Sequence, residues 1–393
     1  MKPENRWLSA QVLRISFSAF FADLGYQAVV GLFPLYITDV LRQKPYVFGI
    51  VIGLVYGVGS LVSYVGGRLG DKYSKKRIAL AGNLLIPLLS LSGLSSSTIV
   101  SSTFYTSGWF SRDFRSPPRR ALLASTSDPS QRGRVFGFLH ALDVGGGMIS
   151  ATLAAVFLFY GVSIKEVMLF TAIPILISSV FLASSHDAPP VRREVAQEKM
   201  KAQYTKGRGL FLASVSLFGF GYYSLGFPVI TVARTTGNLA LGIATFAVFL
   251  GSSGLSGYLF GRANLSPPTS LWKFGYLVAA AGSIFIAISY LFKGDVLAFY
   301  LSTAVLGVGT GVIETYEPVM ASAYSIPQNI SSGMGSIGAL RSVGLFVSNT
   351  LMGLIFTISI FYAYVYAFIS TLIAAILMLA VTYLLEKHGQ TAP

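Results

Sequence analysis

Asp23, Arg112, Asp113, Arg115, Asp143, Glu314, Glu317 and Arg341 interrupt stretches of sequence that are otherwise apolar. A charge held in an apolar medium is costly, so such residues are either paired with one another or engaged in moving protons, ions or solutes. Asp23 lies about 12 residues into the first apolar run, roughly 18 Å along a helix at 1.5 Å per residue. The nearest base in its own run is Arg14. It is either a hydrogen-bonded structural carboxyl or a proton carrier, because burial favours the neutral acid. Glu314 and Glu317 stand three apart, hence on one helical face. Arg112, Asp113 and Arg115 crowd one end of a single run, and Asp143 and Arg341 each stand alone in theirs.

These residues matter only if the surrounding runs cross a membrane, and composition says that they do. Of 393 residues, 53% are hydrophobic and 11% charged, against about 25% charged in a soluble domain. A spanning helix takes roughly 20 apolar residues, which leaves room for about a dozen. There is no cysteine, so thiol and disulfide chemistry are excluded. His140, His186 and His388 are scattered, so no zinc set is expected and no metal site is assigned. No phosphate-binding loop ending Gly-Lys-Ser/Thr occurs, hence no ATP motor within the chain. No nucleophile–base–orienter set can be assembled, so an enzyme is not expected, and no cofactor is assigned.

Hydropathy predicts twelve helices, at about 11–38, 46–67, 78–95, 98–118, 134–160 and 165–184, then 208–233, 238–260, 271–292, 296–322, 333–358 and 360–385. The first run is too long for a signal-peptide core and is read as a retained helix. A polar linker spans 185–207, in which Val191 to Tyr204 has the pattern of a short surface helix. Lys and Arg number 23 on the side of the termini and 5 on the other, with Arg341 set apart. That asymmetry predicts a multi-pass protein of the cytoplasmic membrane with both termini cytoplasmic. The net charge of +14 is spread as topology signals, so nucleic acid is not an expected partner; the lipid bilayer is.

The two halves repeat each other. Gly25 and Phe33-Pro34 reappear as Gly219 and Phe227-Pro228. Gly67-Arg68-Leu69-Gly70-Asp71-Lys72 is echoed by Gly257-Tyr258-Leu259-Phe260-Gly261-Arg262, and Pro129, Gly137 and Asp143 by Pro327, Gly335 and Arg341. The expected fold is therefore all-α and integral to the membrane, with twelve transmembrane helices in two pseudo-symmetric six-helix bundles, 1–184 and 208–393. Asp143 and Arg341 then either pair across the pseudo-twofold or pair each within its own half, Asp143 with Arg112 for example. Glycines at 307, 309 and 311 permit either close packing or a partly unwound helix.

The turn after helix 2 reads Gly67-Arg68-Leu69-Gly70-Asp71-Lys72-Tyr73-Ser74-Lys75-Lys76. It resembles the loop 2–3 signature of the major facilitator superfamily, Gly-x-Leu-Ala-Asp-Arg-x-Gly-Arg-Lys, with Ser74 for a glycine and lysines for arginines. The run Ser111 to Ala124, followed by Gln131-Arg132-Gly133-Arg134, resembles a second superfamily pattern, Gly-Arg-x-x-Arg-x-Pro-x-Arg-Asp-Ala-Leu-Leu-Ala. Gly145-Gly146-Gly147 stands where antiporter members carry a Gly-x-x-x-Gly-Pro-type motif, but Met148, Ile149 and Ser150 follow without the proline.

The resemblance implies a monomeric secondary transporter that moves a small-molecule substrate by alternating access, coupled to protons, with efflux favoured. It gives Arg112 the place of an arginine tied to proton coupling, beside Asp23. Because helices 1, 4, 7 and 10 line the cavity in such proteins, Tyr26, Tyr222, Tyr223, Glu314, Tyr316 and Glu317 become cavity candidates. Gly67, Asp71, Lys72, Lys75, Lys76, Arg115, Arg119, Asp143 and Arg341 become gating candidates, with Arg115, Arg119 and Arg120 pairing to Asp71 or to lipid phosphate. The rival expectations are an uncoupled facilitator, in which Asp23 is structural, and a transport-inactive sensor on the same fold.

Overall fold

A computed structural model describes residues 8–126, 132–187, 206–263, 265–324 and 330–389. Among them are twelve long helical segments and no strand. In chain order these are α1 (Ala10–Val40), α2 (Pro45–Lys72), α3 (Lys75–Leu94), α4 (Thr98–Ser125), α5 (Arg132–Phe159), α6 (Ile164–Ala183), α7 (Arg208–Thr236), α8 (Leu239–Arg262), α9 (Pro267–Leu291), α10 (Val296–Ala323), α11 (Ile330–Ile358) and α12 (Ile360–Lys387). All but α4 contain a stretch apolar and long enough to cross a membrane. Helix α4 has the length but carries Arg112, Asp113, Arg115, Arg119 and Arg120. The expected surface helix at Val191 to Tyr204 lies outside the described residues.

Two departures from the sequence reading bear on the site. Helix α4 was expected to stop near 118, before which two prolines stand, yet it continues through Pro117 and Pro118 to Ser125. Pro118 cannot donate to the Phe114 carbonyl, and α2 packs closely at that point. A Cβ on Gly66 would come within 2.1 Å of the Phe114 oxygen, and one on Gly70 within 2.7 Å of Pro118 Cβ. Gly67 lies in the same contact, 3.3 Å from Pro117 Cβ by the same measure. The glycines of the loop 2–3 signature thus admit the proline-bearing helix.

Helix α7 was expected to be continuous, but it breaks between Gly221 and Gly226. The side chain of Asn349, fully buried on α11, accepts from the freed Ser224 amide at 2.7 Å. Helix α10, the other candidate for unwinding, is unbroken. Its glycines serve packing instead: Gly307 and Gly311 lie against Phe249, Ser252 and Ser253 of α8, and Gly309 against Ala279 of α9.

The chain separates into two compact units, one made of Met1–Gln43 and Val58–Glu194, the other of Lys44–Gly57 and Val195–Pro393. The first turns of α2 therefore belong to the second unit, whereas the sequence reading kept helix 2 whole in the first. There Gly49 sits against the Asn349 carbonyl and Gly353, and the Tyr46 amide donates to Thr357 Oγ1 at 3.1 Å. The internal packing of the two units repeats. In the first, α1 packs on α5 and α6, and α3 on α4; in the second, α7 packs on α11 and α12, and α9 on α10.

Candidate functional site

In the first unit, α1 and α4 bring the predicted coupling residues together. Asp23 is 4% exposed and Tyr26 1%. The Tyr26 hydroxyl, one helical turn on, donates to Asp23 Oδ1 at 2.5 Å, and Gln27 Nε2 donates to the same oxygen at 3.2 Å. Arg112 does not reach Asp23 directly. Its Nε donates to the Tyr26 oxygen at 3.4 Å, while its Nη1 bonds Asp113 Oδ1 at 2.8 Å. The guanidinium also lies over the Trp109 and Tyr26 rings, 5.2 and 5.7 Å from their centroids. Arg112, Tyr26 and Asp23 thus form a chain in which one hydroxyl both accepts and donates. Tyr26, expected to line a substrate cavity, is buried in the middle of this hydrogen-bonded chain, because the turn between positions 23 and 26 stacks its hydroxyl over the carboxyl.

Arg115 and Arg119, expected to gate by pairing with Asp71 or lipid phosphate, are placed differently. Arg115 is 1% exposed, and its Nη1 donates to Asn83 Oδ1 of α3 at 2.6 Å. Asn83 is held in turn by Ser178 and Ser179 of α6. This buried amide escaped sequence reasoning, although a polar residue in an apolar run was the available signal. Arg119 is 3% exposed and pairs with Asp143 of α5 at 3.4 Å, which places Asp143 on Arg119 rather than on Arg112. Neither arginine bonds Asp71, because both point into the helix packing. Asp71 and Lys72 are exposed at the end of α2, and Asp71 forms no ion pair with a described residue. Lys75 and Lys76 open α3, whose first turn is capped by Ser74. Asp187, beyond α6, accepts from the Ser74 hydroxyl and from the Lys76 amide.

The second unit holds a smaller cluster. Arg341 of α11 bonds Glu314 Oε1 at 2.7 Å and Glu317 Oε1 at 3.5 Å, both on α10. Its guanidinium lies over the rings of Tyr222 and Phe218, 5.1 and 5.2 Å from their centroids. Arg341 is therefore engaged inside its own unit, as Asp143 is in the other. The Glu314 side chain is 53% exposed and that of Glu317 only 5%. Tyr222 and Tyr223 stand at the break of α7, beside a cavity that they line with Phe218, Ser283, Thr310 and Thr371. The Tyr223 hydroxyl is 3.2 Å from Ser283 Oγ. Tyr316, expected in the cavity, is buried against α8, where its hydroxyl donates to the Phe260 carbonyl at 2.9 Å. Position 316 lies two residues from 314, about 200° round the helix and so on the opposite face.

The Major Facilitator Superfamily profile matches residues 15–348. An uncharacterized MFS-type transporter of Methanocaldococcus jannaschii is 28% identical over 172 residues, 43% of each chain. A multidrug resistance protein, MdtH, of an Enterobacter strain is 28% identical over 144 residues, 35% of this chain and 34% of its own. The matched stretches span less than half the length of these relatives. Among solved structures, a bacterial homolog of the human lysosomal transporter Spinster superposes with a TM-score of 0.74 over 99% of both chains at 12% identity. The nucleoside transporter NupG gives 0.75, over 94% of this chain and 99% of its own, also at 12% identity. Both share the fold.

Proposed function

This chain belongs to the major facilitator superfamily, a family of multi-pass membrane transporters, and on that premise we propose that it is a proton-coupled exporter of small organic solutes. The two six-helix halves, 1–184 and 208–393, joined by the linker 185–207, are the bodies that alternate. Both termini are cytoplasmic, and the monomer is the working unit. The substrate is an amphipathic, drug-sized molecule, a reading supported by the multidrug resistance protein among the relatives and by the half-exposed Glu314, whose partner Arg341 lies over the Tyr222 ring.

The observation that carries the proposal is the Arg112–Tyr26–Asp23 relay. With Asp23 ionised, the Tyr26 hydroxyl donates to the carboxylate and its oxygen accepts from Arg112. A proton arriving on Asp23 removes the negative charge at the end of this chain. That frees Tyr26 and leaves Arg112 to Asp113. One protonation therefore changes the charge balance of α1 against α4, which is the coupling that alternating access requires. The rival, an uncoupled facilitator, draws on Gln27, whose second bond to Asp23 would also suit a structural carboxyl.

The test uses purified protein in liposomes enclosing a pH-sensitive dye, screened with pools of small aromatic and cationic solutes. Solute-dependent proton movement in wild type, lost in Asp23→Asn while solute exchange persists, is the expected result. Uphill transport that survives the substitution would overturn the assignment of Asp23. Solute flux without proton movement would establish the facilitator.

A further inference from the structure

Glu317 is a buried carboxyl that the relay above does not use. It shares one guanidinium with Glu314, and the sharing is unequal: 2.7 Å to Glu314 and 3.5 Å to Glu317. Its second oxygen, Oε2, is buried and receives nothing from Arg341. The groups facing Glu317 are Arg341 from α11, Glu314 from its own helix and the hydroxyl of Tyr276 from α9. Two carboxylates thus contend for one positive charge. The Glu314 side chain is half exposed to solvent, whereas that of Glu317 is 5% exposed and has only these neighbours to offset the cost of a buried charge.

The first unit supplies an internal control. Glu317 follows Arg119 by 198 residues, and Arg341 follows Asp143 by the same 198, so the two ion pairs occupy equivalent positions with their charges exchanged. The position equivalent to Glu314 is Ser116, whose hydroxyl donates to the Arg112 carbonyl at 2.8 Å. One acid meets one arginine at this place in the first unit; in the second, an additional carboxylate draws the arginine away.

We propose that Glu317 is a second proton-binding site, carrying a proton while Glu314 holds Arg341 and releasing it when Arg341 turns to Glu317. Coupled to the reading above, on which this consequence alone rests, the cycle moves two protons rather than one. A cationic solute that binds Glu314 would displace Arg341 toward Glu317 and drive the release.

The site is testable without any solute. Infrared difference spectra of the detergent-purified full chain, taken across neutral pH, report the carbonyl stretch of protonated carboxyls. Glu317→Gln should delete one component, and Asp23→Asn a different one. Glu314→Gln, at a half-exposed position that folding tolerates, should also delete the Glu317 component although Glu317 is intact, because Arg341 is then free to ionise it. A band insensitive to Glu317→Gln, or a Glu317 component that persists in Glu314→Gln, would overturn the proposal. A component that vanishes on adding sodium at constant pH would replace the proton by a metal cation and overturn it equally. None of these outcomes touches the transport test, which stands or falls on Asp23.

Discussion

The buried ion pairs of the two units have the same sequence separation and nearly the same length, yet opposite polarity. Arg119 on α4 meets Asp143 on α5 at 3.4 Å; Glu317 on α10 meets Arg341 on α11 at 3.5 Å. A Coulomb interaction is indifferent to which helix carries the acid, so the repeat conserves the pair without conserving its direction. The surroundings are not indifferent. The first cluster sets Asp23, Asp113 and Asp143 against Arg112, Arg115, Arg119 and Arg120, whereas among the described residues the second sets Glu314 and Glu317 against Arg341. The first cluster has a base for every acid; the second is left with an acid in hand.

That contrast orders the effects of breaking each pair. Arg341→Gln leaves Glu314 without its counter-charge and Glu317 able to persist only as the neutral acid, and should be the most damaging substitution, about 3–5 kcal/mol as for removing one partner of a buried pair. A large fall in the melting temperature of the detergent-solubilised protein is the expected readout, partly restored by adding Glu314→Gln. Asp143→Ala strands only Arg119 and should cost about 3 kcal/mol. Reversing the first pair, with Arg119→Glu and Asp143→Arg together, gives it the polarity of the second and should recover most of that loss. A double variant no more stable than Asp143→Ala would mean that polarity is fixed by neighbours such as Arg115, and that the two pairs are alike only in position.

A steric counterpart follows from the helix contacts. Gly66→Ala places a methyl where only 2.1 Å separates it from the Phe114 carbonyl, so α2 must move off the Pro117–Pro118 segment. A loss of 1–3 kcal/mol is expected from overpacking. Gly137→Ala, with nothing within 4 Å of the added methyl, should be neutral or slightly stabilising. The pair of melting temperatures checks this directly, and equal values for both would show that α2 adjusts freely there.

The fold was legible because spanning helices announce themselves by composition, and all twelve were located to within a few residues except where tertiary partners override local rules. No residue between Gly221 and Gly226 predicts the break of α7; its amide is satisfied by Asn349, 125 positions away. Helix α4 runs past two prolines because glycines on another helix accommodate it. At the site, Asp23 and Arg112 were legible as buried charges, but the hydroxyl joining them was assigned to a cavity, since position 26 alone does not reveal where a tyrosine ring points. The exchanged pair was present in the sequence as the shared offset of 198, seen for Asp143 and Arg341 but not for Arg119 and Glu317. Charge inversion hides an equivalence from any comparison that looks for similar residues.

Two tyrosines, both first assigned to a cavity, sharpen the distinction between holding the fold and moving a proton. Tyr316→Phe removes one bond to the Phe260 carbonyl, worth about 0.6 kcal/mol as an interhelical hydrogen bond in a membrane, and should leave transport per folded molecule unchanged. Tyr26→Phe removes two bonds, one to the Asp23 carboxyl and one from Arg112, and should lower stability more than Tyr316→Phe does. It also cuts the link between Arg112 and Asp23, so proton-driven accumulation should fall while solute exchange continues. Equal transport in the two variants would reduce Tyr26 to a packing residue and require Arg112 to sense Asp23 through space. Loss of transport in Tyr316→Phe alone would move the coupling to the second unit, where α8 meets α10, and make the cluster with an acid in hand the one that drives the cycle.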